Sequence, residues 1–225
     1  MSFAARPGVC GDGRNGTWGR RTAWNDGHGA DDEVAYDCDA GPVRVSLTVR
    51  HGHVEALRTY VGGRWVTPPA AAAVTDLGTT STRAAADFLL DLAAREDGRV
   101  GEEAILPATL ADSVTIWPTL LTLAKSDRVP RRARRQAVFW LGQAAGAAVT
   151  HGLSTLLDED GVEREVKEQA VFALSQQPHG DGVPALIQIA RSQRDRELRR
   201  KALFWLGQSD DPRALALFEE LLTHP

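Results

Sequence analysis

Apolar and polar residues alternate over 43–50, "VRVSLTVR", and an apolar-rich run follows at 54–61, "VEALRTYV"; together they predict two β-strands. Between them "HGH", His51 to His53, brings the glycine of a hairpin connection. An isolated hairpin is marginal in water, so the strands need a surface to pack on. "SFAAR" at 2–6 offers a third strand, and a helix face beyond it offers cover. From residue 76 the pattern changes period. "DLGTTSTRAAADFLLDLAARE" supplies hydroxyls for an N-cap at Thr80 or Ser81, then Ala85, Phe88, Leu89 and Leu92 at helical spacing. "EDGRVGEE" reads as a glycine-containing break. After it, Ile116, Leu120, Leu121 and Leu123 predict another helix, with Pro118 tolerated in its first turn.

The strongest signal is an internal repeat. "VPRRARRQAVFWLGQ" (129–143), "VEREVKEQAVFALSQ" (162–176) and "RDRELRRKALFWLGQ" (194–208) align with alanines at 137, 170 and 202, at spacings of 33 and 32. Each block is followed by a second amphipathic segment, "GLSTLLDED", "VPALIQIARSQ" and "RALALFEELL", so the unit is a helix pair. On a helical wheel Ala133, Ala137, Trp140, Leu141 and Ala144 share one face. Val138 and Phe139 make the end of the helix apolar all round, as expected for a helix covered by neighbouring units on both sides. Trp140 and Trp205 then act as fillers between stacked helices, and Ala173, in the same column, leaves a volume that something else must occupy.

An apolar residue followed by Arg or Lys near each helix start (Ala133-Arg134, Val166-Lys167, Leu198-Arg199), Leu and a small residue at its end, and "SDDPRALALFEELL" resemble HEAT-like repeats, including those named for phycobilisome lyases. The resemblance covers roughly residues 113–225. With the strand and helix patterns before it, the expected fold is mainly α: an N-terminal α+β region with a β-hairpin over 1–75, read from the residues, followed by a helical region over 76–225 that the resemblance implies is a HEAT-like α-solenoid, clear from about residue 113. The last helix, "RALALFEELLTH", is expected to cap the stack. Repeats of this kind serve mostly as binding solenoids, with chromophore lyases and DNA glycosylases as minority uses. The resemblance thus implies a protein-binding scaffold or adaptor, with a protein partner on the solenoid face; the alternative is an enzyme of lyase or glycosylase type on the same scaffold.

Charge refines this picture. The net charge of −4 divides into −5 over residues 1–117 and +1 over 118–225, so the repeat half lacks the basic excess of a nucleic-acid footprint. The basic columns of the repeats form the candidate binding surface: Arg131, Arg164 and Arg196; Arg134 with Lys167 and Arg199; Arg135 and Arg200. The bland reading of these columns is a charge ladder between repeats. Cations disfavour a helix N-terminus; Glu163, Glu165, Asp195 and Glu197 offset this in the second and third repeats, whereas Arg131, Arg132, Arg134 and Arg135 have no acid within their own turn. That quartet is the leading contact candidate.

The remaining chemistry is sparse. "NDGHGADDE" at 25–33 gathers carboxylates without the alternating order of a calcium loop, and His51 with His53 lacks a visible third ligand, so no metal and no cofactor is expected. No G-x-S-x-G, H-E-x-x-H or phosphate-binding glycine loop is present, and no catalytic residue is assigned. No apolar run reaches the roughly 20 residues of a membrane span. Cys10 and Cys38, 28 residues apart in a Gly/Asp-rich segment, are expected to form a disulfide that contributes about 3–4 kcal/mol on a loop-entropy basis. Bridged, they place the protein in an extracytoplasmic compartment, periplasmic or secreted; unbridged, in the cytoplasm. The oligomeric state has no signature in the sequence.

Overall fold

A computed structural model of the chain describes residues 1–13, 39–63, 73–144 and 146–223. The chain divides into two compact units, Met1–Thr115 and Ile116–Pro225.

In the first unit, β1 (Ser2–Phe3), β2 (Cys10–Gly11), β3 (Asp39–Ala40), β4 (Val43–Arg50) and β5 (His53–Val61) form two small antiparallel sheets, one ordered β1-β4-β5 and the other pairing β2 with β3. The hairpin turns on His51 and Gly52 alone, at φ 52° and 81°, the positive pair that a two-residue turn matched to strand twist requires. His53 already lies in β5, opposite Arg50. The strand expected over "SFAAR" is a two-residue strand, Ser2 pairing with Arg44 and Phe3 with Val43. Phe3, Val43, Val45, Leu57 and Val61 turn one apolar face inward.

Two helices accompany that sheet: α1 (Thr82–Arg95), capped by the Ser81 hydroxyl accepting from the Ala84 N–H, and α2 (Gly98–Thr109), which packs on α1 and on β5. The sequence predicts a break over 96–103 and a boundary at residue 75. The structure instead starts α2 at Gly98, directly after the Asp97 cap, and keeps both helices with the sheet through Thr115. The physical reason is in the glycines: a Cβ at Gly101 would lie 2.2 Å from the Glu96 carbonyl oxygen, so glycine there permits the tight reversal rather than ending the helix. Phe88, expected on the inner face of α1, is exposed, and Ala85, Ala86, Leu89, Leu90, Leu92 and Ala93 form that face. The glycine pair of "VGG" is also structural, since a Cβ on Gly62 would meet the Asp39 carbonyl oxygen at 2.0 Å.

The second unit contains α3 (Trp117–Lys125), α4 (Arg131–Gly142), α5 (Ala147–Asp158), α6 (Arg164–Ser175), α7 (Val183–Ser192), α8 (Arg196–Gly207) and α9 (Pro212–Thr223). Each of the three aligned blocks supplies the second helix of a pair, α3/α4, α5/α6 and α7/α8, packing more extensively on the helix before it than on the one after. The second helices also pack on each other, α4 on α6 and α6 on α8. Ala133, Ala137, Trp140 and Leu141 are buried as the wheel predicts, and Val138 joins them.

The Ala173 question has a direct answer. A Cβ built on Gly142 would lie 2.9 Å from the Ala173 Cβ and 3.2 Å from its carbonyl oxygen, so the end of α4 rests against α6 where the other repeats carry tryptophan. Backbone fills the volume. Between α6 and α8 the relation differs: the Trp205 ring meets Phe172, centroids 5.0 Å apart. Gln177, buried after α6, ties the first two repeats together by donating from Nε2 to the carbonyls of Leu141 and Gly142 at 3.2 and 3.1 Å, at the end of α4 where helical carbonyls run out of partners within the helix.

Candidate functional site

Arg131, Arg164 and Arg196 are each the first residue of a repeat helix, preceded by Pro130, Glu163 and Asp195 respectively. The arginine of one repeat reaches the cap carboxylate of the next: Arg131 Nε lies 3.1 Å from Glu163, and Arg164 Nη2 lies 3.1 Å from Asp195. An acid at a helix N-terminus is favoured by the helix dipole, and a cation reaching it from the preceding repeat balances its charge. The cations that look misplaced within one repeat are therefore placed for its neighbour.

Glu163 is the centre of the first rung. Besides Arg131 it binds Arg134, Nη2 to Oε1 at 3.0 Å, and Arg134 is only 4% exposed. The hydrogen bond from Arg134 holds the Glu163 carboxyl below the ordinary glutamate range, against partial burial, with Arg131 adding to the effect. Asp195 is likewise held below the usual aspartate range, first by the Glu197 N–H and, after the opposing effect of burial, by the charge of Arg164. The column continues elsewhere: Lys201 meets Glu168 at 3.2 Å, Lys125 meets Glu159 at 2.8 Å, and Arg191 meets Glu220. In the first turn of α9, Arg213 binds both Asp211, just before the helix, and the Gly180 carbonyl, and lowers the Asp211 carboxyl to about 2.

The expected basic residues thus part company. Arg131, Arg134 and Arg164 serve inter-repeat rungs, Arg200 binds Glu197 on its own helix at 2.6 Å, and Arg199 donates to the carbonyls of Gln193 and Arg194. Arg132 and Arg135 stand exposed on α4, and Arg196 is exposed on α8. The same columns on α6 carry Glu165, which is exposed, and Glu168, which is half-buried and paired with Lys201, so the strip is basic at the first repeat and acidic at the second through Glu165. In the sequence Glu163 and Asp195 read as local compensation within their own turns; their 32-residue separation, one repeat apart, is the sign that they also serve the repeat before.

Repeated helix pairs, a cross-repeat charge register and stacked second helices settle the architecture. Residues 150–225 match the family model of HEAT repeats. The C-terminal half is a HEAT-like repeat array. No curated protein and no solved structure matches the chain. The array is a helical scaffold of a type that commonly mediates protein interactions, and no described helix is long and apolar enough to cross a membrane.

The other sequence candidates have separate fates. Cys10 lies in β2, while Cys38 falls outside the described residues, as does the 25–33 acidic segment. His51 and His53 sit at the hairpin end, and among the described residues no group of three metal-binding side chains gathers.

Proposed function

We propose that this HEAT-like array is a protein-binding adaptor without chemistry of its own, and that it holds its partner along the outward strip of α4 and α6. The observation that carries the reading is the succession of exposed Arg132 and Arg135 on α4 and exposed Glu165 on α6, beside the half-buried, Lys201-paired Glu168. A strip with one basic and one acidic block selects a partner segment with charges in the opposite order, and charge matching of this kind sets orientation and association rate. The informative variant is R132E/R135E, which leaves the rungs made by Arg131 and Arg134 in place. Photo-crosslinking from α4 in source lysate, with wild type and variant compared, should identify a protein whose capture falls about tenfold in the variant, as for loss of two interface charge pairs. Equal capture of every partner by both forms would dismiss the strip.

We also propose that Cys10 and Cys38 are bridged and that the protein works in an oxidising compartment. Support comes from the β2/β3 register, Cys10 opposite Ala40 and Gly11 opposite Asp39, which carries the residue next to Cys38 to the neighbour of Cys10. Among the described residues no cysteine is free. Intact mass with and without reductant should differ by the two hydrogens of one disulfide; alkylation of both thiols without reductant would refute the bridge.

A further inference from the structure

We draw no further inference here: the strongest candidate, the column of half-buried phenylalanines formed by Phe139 on α4 and Phe172 on α6, lies one helical turn along from Arg135 and Glu168 of the strip already described, and nothing in the structure shows what covers it.

Discussion

Glu163→Ala should destabilise the repeat unit by about 2–3 kcal/mol, somewhat below the ~3–5 kcal/mol typical when one partner of a fully buried ion pair is removed. The discount arises because the Glu163 side chain is 38% exposed, so water already screens part of the attraction. The effect stays large because Arg134 is not screened in the same way. Without Glu163 its guanidinium would be left buried between α4 and α6 with no carboxylate. Chemical denaturation monitored by circular dichroism measures this, and Glu163→Gln, which keeps an acceptor, should fall between the two. Dependence on pH provides an independent reading. The Glu163 and Asp195 carboxyls both sit below their ordinary values in the fold. Groups depressed on folding contribute stability that is complete above the unfolded pKa and vanishes as pH falls through the folded one. The wild type should therefore melt at steadily lower temperature as pH drops from about 5 towards 2, over the range of ordinary and depressed carboxylates. Glu163→Gln should show a shallower decline, and parallel declines would remove Glu163 from the account.

Ala173→Trp should be as damaging, about 3 kcal/mol, at the upper end of overpacking effects. The substitution looks harmless in an alignment of the three repeats, because it restores the residue found at 140 and 205. In the fold there is no room. Even a single methyl on Gly142 would stand 2.9 Å from the Ala173 Cβ, so an indole must push α4 away from α6 or turn outward. The rungs between Glu163 and its two arginines cross that same junction and would lengthen with it. Denaturation midpoints of the variant and of Trp205→Ala, which removes a ring from the less buried junction, should rank Ala173→Trp as the worse. An Ala173→Trp protein of wild-type stability would mean that the close approach of α4 and α6 is dispensable.

How much of this was readable beforehand follows from which interactions are periodic. The three repeat helices, their inward faces and the hairpin were legible because burial imposes a spacing on the sequence. The opening of α2 was not, because Gly98 and Gly101 carry the composition of a loop while serving a tight helix reversal, and only the position of the Glu96 carbonyl distinguishes the two. Phe88 failed for another reason: it has the right character for the core and lies one step off the face that alanines and leucines occupy. In the candidate site, the basic columns were visible as columns, but their assignment to surface or to scaffold depends on reach across repeats. Arg134 and Arg135 are adjacent in sequence and identical in type, yet one is buried against Glu163 and the other faces solvent.

The cap-to-arginine register has a consequence for the order of the repeats. Arg131 and Arg164 each meet an acid on the following helix, so charge alone would let the first repeat be joined directly to the third, with Asp195 taking the place of Glu163. Volume forbids the same exchange, because Gly142 rests on Ala173 and would then confront Trp205. The electrostatic contacts make the modules interchangeable in principle; the one missing side chain in the tryptophan column makes the sequence of modules unique.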